Sequence, residues 1–315
     1  MSLIQHTFDT PYPVGEVHCY SAERGGERLL FDTGPPTPAA REGLKRWLED
    51  GSGPLHVVCT HCHIDHYGLA AWLEREYGAQ VYIPFRDDLK IRQHEERLAG
   101  IAALLKQEGF SDRYIESYRQ IMRDGSVFPE FPRRAVVIEE SDLPARLGFE
   151  VIACPGHSQS DLVYAGDDWA VTGDVLLRGI FQSPLYDIDL LTGERFNNYR
   201  AYCQSLPKLA ALSGKTIWPG HRYRVDNVEE ILLFYVGKLL ERTARVADRL
   251  RAGSLAEATI SLFGDQAGHP FRLYLKASEL AFMRDFLREP ECLRRALEQV
   301  GLFAPLEEVF EQAAG

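Results

Sequence analysis

Short apolar runs closed by turn residues alternate with stretches of helical spacing over the first two thirds of the chain. Residues 16–22 and 28–31 predict strands, the second ending at Asp32-Thr33-Gly34. Pro35, Pro36 and Pro38 then open a helix near 39–49, where Leu44, Trp47 and Leu48 share one face. The apolar run 55–60 predicts a strand that leads directly into His61, followed by a helix over 68–77 and a strand over 80–83. Strand, helix, strand in that order is the βαβ pattern of a layered α/β core.

Residues 86–123 break this rhythm. Leu98, Ile101, Leu104 and Leu105 recur at helical spacing among many charges, which predicts a helical insertion of two or three helices. Strands resume at 134–139, 149–154, 161–165 and 169–172, with Gly166-Asp167-Asp168 as a hairpin turn between the last two. A helix near 196–212 precedes a final strand at 216–218. From about Val228 the pattern is almost wholly helical, with one long helix reaching about Arg251. The expected organisation is a domain over 1–230 carrying the insertion, and a helical C-terminal extension over 231–315.

Composition narrows the class. Hydrophobic residues make up 45% and charged residues 26% of 315, the balance of a globular protein with a substantial core. The formal net charge of −11 argues against broad nucleic-acid binding, which needs a basic surface. A small molecule is the expected partner, with a homodimer left open. No basic start followed by an apolar run opens the sequence, and no run of about 20 apolar residues occurs. A cytoplasmic location without membrane contact is therefore the default expectation. Cys59 and Cys62 spell C-T-H-C, but no second such pair completes a zinc ribbon. Reduced, buried or half-buried thiols are expected for all six cysteines.

The chemistry concentrates in Thr60-His61-Cys62-His63-Ile64-Asp65-His66, where three of the ten histidines and an aspartate fall between a strand and a helix. Alternation along an extended chain points His61 and His63 the same way. The turn that follows lets Asp65 and His66 face a second point nearby. Imidazole donors suit zinc, iron, nickel or copper, and a carboxylate widens the set towards manganese. Three further strands deliver a candidate ligand in the same manner: Pro155-Gly156-His157, Thr172-Gly173-Asp174 and Pro219-Gly220-His221. Glycine before each allows close backbone approach. His6, His18, His56, His94 and His269 have no partners at ligand spacing and are read as surface or satisfied core residues.

These motifs, with Asp32-Thr33-Gly34, resemble those of the metallo-β-lactamase-fold superfamily over about residues 14–225. The resemblance implies an αββα sandwich: two mixed sheets face to face with helices outside. It also implies two divalent metal ions, zinc first with iron or manganese as alternatives. One would sit on His61, His63 and His157, the other on Asp65, His66 and His221, with Asp174 bridging. A water between two such ions is activated for hydrolysis, and Asp65 is the candidate proton shuttle.

Among members of that superfamily, β-lactamases of the best-known subclass have cysteine where this chain has Asp174. Oxygen-reducing members have glutamate in place of His63. What remains is similar to glyoxalase II, lactonases and thioesterases, so hydrolysis of a thioester, lactone or ester is expected. A metal-dependent phosphodiesterase or ribonuclease, a non-catalytic metal-holding regulator and a mono-iron oxygenase are the alternatives. Arg178, Phe181 and Tyr186 after Asp174, and Arg222, Tyr223 and Arg224 after His221, are candidate substrate contacts, since arginine binds carboxylate and phosphate bidentately.

Overall fold

Side chains alternate across a strand with period two, and the central strands Glu27–Phe31, Leu55–Val58, Leu162–Ala165 and Trp169–Gly173 bury both faces. The computed structural model describes residues 1–12, 14–124 and 128–315. Among these, six strands form one sheet in sequential order: β1 (Ile4–Phe8), β2 (Val17–Arg24), β3 (Glu27–Phe31), β4 (Leu55–Val58), β5 (Gln80–Ile83) and β6 (Val136–Val137). The first three pair antiparallel, and β3 to β6 run parallel. The second sheet contains β7 (Glu150–Ala153), β8 (Leu162–Ala165), β9 (Trp169–Gly173) and β10 (Thr216–Pro219), in the order β10-β9-β8-β7. Only its β9–β10 pair is parallel.

The inner faces meet in one apolar layer. Tyr20, Leu29, Phe31 and Val58 of the first sheet pack against Tyr164, Trp169, Val171 and Trp218 of the second. The intervening residues point outward. Cys19, Leu30, Val57 and Val81 bury against Leu44 and Leu48 of α1 (Pro38–Asp50) and, beyond the short turn α2 (Ile64–Tyr67), against Ala70 and Leu73 of α3 (Ala70–Tyr77). Helices therefore cover the outside of the first sheet. The αββα sandwich implied by the motifs is the observed fold.

The insertion is three helices, α4 (Phe85–Arg92), α5 (His94–Gln107) and α6 (Asp112–Met122). After α7 (Leu143–Leu147) comes α8 (Asn198–Ala210), on the outer face of the second sheet. The tail follows as α9 (Val228–Ala252), α10 (Leu255–Ala267), α11 (Pro270–Arg288), α12 (Pro290–Gln299) and α13 (Glu307–Ala314). A single apolar cluster joins Val163, Ala170 and Ile217 of the sheet to Leu98, Ile101 and Tyr118 of the insertion and to Leu239, Phe282 and Phe286 of the tail. The Glu108 carboxylate after α5 accepts from Arg284 Nη1 of α11 at 2.8 Å and from the Tyr186 hydroxyl at 3.2 Å, binding insertion, tail and intervening loop together. Among the described residues, no helix is long and apolar enough to cross a membrane.

Two local expectations shift, and one strand was not expected. The strand expected over 55–60 ends at Val58, because the Thr60 amide leaves the ladder to donate to Asp32 Oδ1 at 2.7 Å. The strand expected over 134–139 shrinks to Val136–Val137, and a 3-10 turn at Ile138–Glu140 swings Ile138 into the layer between the sheets. Strand β1 has no apolar alternation to announce it. It is an edge strand whose Gln5 and Thr7 bond the buried His18 instead.

Tyr164 tests the inner layer. Its hydroxyl, fully buried, donates to the Cys59 carbonyl at 2.6 Å just before the histidine cluster. Tyr164→Phe keeps the ring and strands that carbonyl, so it is expected to cost about 1–3 kcal/mol. Urea unfolding of the two proteins measures it, and an unchanged midpoint would show that the bond contributes nothing.

Candidate metal centre

Five strand ends, those of β3, β4, β7, β9 and β10, converge at one edge of the sandwich. At the first, Asp32 follows β3 in the left-handed region, φ 58°, and turns its carboxylate back into the protein. That carboxylate accepts from the Thr60 amide (2.7 Å), the Thr60 hydroxyl (2.8 Å) and His66 Nδ1 (2.8 Å). One buried group thus holds both ends of the 60–66 loop. The chain is extended at His63, and α2 begins with the next residue. His61 and His63 therefore precede the helical turn, whereas Asp65 and His66 lie within it.

The expected pairing of directions follows. His63 Nδ1 lies 2.9 Å from His61 Nε2 and 3.0 Å from His157 Nε2. On the other side, His221 Nε2 is 3.5 Å from Asp65 Oδ2. Asp174 stands between the two groups. Its Oδ1 is 3.3 Å from His66 Nε2 and 3.5 Å from His221 Nε2, and its Oδ2 is 3.8 Å from His157 Nε2. All seven residues singled out by the motifs converge. Their facing atoms form three overlapping groups of metal-ligand spacing: His61, His63 and His157; His61, His66 and Asp174; Asp65, His66 and His221.

Four imidazoles are oriented from behind. His61 Nδ1 faces the Thr60 hydroxyl oxygen (3.1 Å), and Nδ1 of His66, His157 and His221 donates to Asp32, the Ser183 carbonyl (2.9 Å) and the Glu16 carbonyl (2.7 Å). This arrangement turns the Nε2 lone pair of each inward, as metal-binding histidines require. His66 Nε2, Asp174 Oδ1 and His221 Nε2 are buried and have no hydrogen-bond partner among the described residues. Buried polar atoms left so are costly, and a shared cation satisfies all three. The donor set fits divalent zinc, iron or manganese.

Gly173 and Gly220 make this approach feasible. Gly173 takes φ +49°, and a Cβ there would meet the Thr60 hydroxyl at 2.6 Å. A Cβ on Gly220 would lie 2.5 Å from Asp174 Oδ1 and 2.7 Å from His66 Cε1.

Electrostatics divide the cluster. Burial, reinforced by neighbouring imidazoles, holds His61 and His63 well below the ordinary histidine value of 6.5. Burial also opposes protonation of His66 and His221, but the Asp174 carboxylate outweighs it, helped at His66 by Asp32, and raises both. Asp174 is likewise opposed by burial, yet His221 and His66 hold it well below the ordinary 3.8.

The candidate substrate contacts are dispersed. Phe181 is buried, stacked on Tyr235 with centroids 4.6 Å apart, and Tyr186 is buried with its hydroxyl on Glu108. Both side chains pack the core, a correction to their reading as substrate contacts: the loop after Asp174 folds inward onto α9 and α11 rather than across the cluster. Arg178 is exposed and paired with Asp226 at 3.3 Å. Arg224 lies over the Trp218 ring at 4.1 Å, Tyr223 is exposed, and Arg222 is exposed with its carbonyl accepting from His18 Nε2 at 2.6 Å. His6, His18, His56 and His269 are satisfied by Ser21, Arg222, Glu27 and the Phe271 amide. Asp32 and Thr60 as supports of the cluster escaped the sequence reading. The only signal was an aspartate directly at a strand end.

A family model described as the metallo-beta-lactamase superfamily matches residues 12–221. The chain is 24% identical over 304 residues to a probable metallo-hydrolase of Bacillus subtilis, covering 90% of this chain and 91% of that one. It is 25% identical over 252 residues to a hydroxyacylglutathione hydrolase of Xanthomonas campestris pv. campestris, covering 78% and 76%. A metallo-beta-lactamase family protein of Thermus thermophilus superimposes with a TM-score of 0.67 at 22% identity, over 91% of this chain and 94% of that one. A beta-lactamase domain protein of Burkholderia ambifaria superimposes with a TM-score of 0.70 at 19% identity, over 91% and 87%.

Two outcomes follow from the geometry. Gly220→Ala forces Asp174 and His66 apart, so metal content measured by mass spectrometry should fall well below that of the unmutated chain, with the far-UV spectrum retained. Undiminished content would mean the approach is not needed. In the metal-free protein, the raised His66 and His221 contribute stability that is present below pH 6.5 and lost as pH rises through their folded values. The depressed His61 and His63 act in the opposite sense, with stability lost as pH falls below 6.5. Once the other histidines are largely deprotonated, the thermal midpoint should therefore decline from about pH 7 to about pH 8, where thiols are still mostly protonated. Asp174→Asn should flatten that decline, and a decline of unchanged slope would contradict the assignment.

Proposed function

The chain belongs to the metallo-beta-lactamase superfamily and is a metal-dependent hydrolase, and we propose that it works with two divalent ions to cleave a thioester, lactone or ester. The observation that carries the two-metal reading is the buried convergence of His66, Asp174 and His221, whose facing atoms make no well-directed hydrogen bond, beside the separate triad of His61, His63 and His157. The proposed assignment gives one ion to that triad and the other to Asp65, His66 and His221. Asp174 would serve both, since its Oδ1 faces His66 and His221 and its Oδ2 faces His157. Zinc is the first expectation, with iron or manganese as the alternatives the same donors accept.

When bound, the ions supply a hydroxide nucleophile near neutral pH and polarise the scissile carbonyl. The chain's own contribution is placement and proton handling. Nδ1–H bonds from His157 to Ser183, from His66 to Asp32 and from His221 to Glu16 keep each Nε2 aimed inward without reorganisation. Asp65 is the proton shuttle in this reading: one carboxylate oxygen faces His221, and the other can take the proton of the attacking water and pass it to the leaving group.

Thioester cleavage is supported by the relatives whose name describes hydrolysis of an acylglutathione, at about a quarter identity. The full-length likeness to a probable metallo-hydrolase supports hydrolysis without naming a bond.

A panel of acylglutathione and other thioesters, lactones, esters and phosphodiesters, assayed on metal-reconstituted protein, tests this reading. At least one thioester, lactone or ester should be hydrolysed, and Asp65→Ala should lower its kcat by about 100-fold or more. Cleavage confined to phosphodiesters, or no turnover with two metals bound, would overturn it.

A further inference from the structure

The helical insertion reaches the metal cluster through one carboxylate. Asp87, in the first turn of α4, is 4% exposed. Its Oδ2 accepts from the Cys62 amide at 2.7 Å, the peptide N–H between His61 and His63. Its Oδ1 accepts from the Ser160 hydroxyl at 2.7 Å and from Lys90 Nζ at 2.9 Å, and Lys90 also donates to Ser160 at 3.0 Å. Ser160 lies on the loop that carries His157, where Ser158 binds both Ser160 (3.1 Å) and Asp161 (2.7 Å). A single buried group therefore ties three segments together: the 60–66 loop, the 155–161 loop and α4.

His63 gives this tie its importance. The other four imidazoles are held from behind through Nδ1, whereas His63 presents Nδ1 to the cluster. Among the described residues, no hydrogen bond holds its Nε2. With no such bond behind it, the ring depends on its backbone for placement against His61 and His157. On one side that backbone is anchored by α2, whose His66 amide donates to the His63 carbonyl at 2.9 Å. On the other it is anchored by Asp87 through the Cys62 amide.

The insertion also grips the surroundings of His157. Arg97 of α5 holds Asp187 at 2.9 and 3.1 Å, and Asp187 in turn accepts from Gln159 at 3.0 Å. Among the described residues, no such hydrogen bond links the second candidate site to the insertion. Its His66 and His221 rest on Asp32 and Glu16 of the first sheet and the turn before it.

We propose that Asp87, seated on Lys90 and Ser160, is a positioning residue for the site of His61, His63 and His157, so that the helical insertion sets the affinity of one of the two metal positions. This inference rests on the two-metal reading. Replacing Asp87 by asparagine retains an acceptor for the Cys62 amide but turns an NH2 group towards the Lys90 ammonium, donor against donor. The double variant D87N/K90M removes that conflict and lets the new amide donate to Ser160.

The test is titration of the metal-free full chain with Zn2+ against a chromophoric chelator, giving the number of sites and the affinity of each. The unmutated chain should take up two ions. Asp87→Asn should weaken one site about 10- to 100-fold and leave the other within about twofold, a selectivity that general loosening of the fold would not produce. D87N/K90M should recover most of the loss. If Asp87→Asn does not fold, Ser160→Ala, which loosens the same carboxylate, should show a smaller loss at the same single site. Wild-type affinities at both sites in these variants, equal weakening of both sites, or no recovery in the double variant would overturn the proposal while leaving the two-metal reading intact. An unmutated chain that takes up no ion would overturn both.

Discussion

Five imidazoles and two carboxylates point their inner atoms at one buried space, and this convergence is the constraint the surrounding structure answers. Lone pairs brought within 3–4 Å of one another repel, and removing them from water adds a desolvation cost. The protein offsets this from behind, where Asp32, Thr60 and the carbonyls of Glu16 and Ser183 accept the outward N–H groups. The same bonds that stabilise the rings also fix which nitrogen faces inward. Orientation and stability are one set of interactions here.

The fold supplies these partners because strand ends from both sheets meet along one edge. Asp32 follows β3, Thr60 and His61 follow β4, Asp174 follows β9 and His221 follows β10. Each position inherits the rigidity of a strand whose two faces are buried in separate apolar layers. A site built on such ends rests on a rigid scaffold, which suits chemistry that depends on preorganised charge. Glycine is needed where two ends touch. At Gly220 a side chain would occupy the space of Asp174 and His66.

The helical additions act on this framework unequally. The tail packs against the outer face of the second sheet and reaches the insertion through the Glu108–Arg284 pair. The insertion contacts the ligand loops themselves, through Asp87 and through Arg97 with Asp187.

Much of this was legible in the chain alone. Ligand identity is local information: histidines at alternating positions after an apolar strand, and glycine before each later ligand, announce themselves in short windows. The layered α/β core was legible in apolar runs alternating with helical spacing, the sandwich only through the resemblance of the motifs, and the insertion because its leucines recur at helical spacing. Phe181 and Tyr186 were misread because proximity in sequence to Asp174 says nothing about which way a loop folds, and this one turns into the core. Asp32 showed only as part of its strand-end motif, and Thr60 and Asp87 were silent as supports, since a buried polar side chain looks in sequence like an exposed one. Which side chains could be ligands was thus set by residue type and spacing. Which nitrogen of each faces inward, and what holds it there, was decided only when segments 25 to more than 200 residues apart came into hydrogen-bond contact.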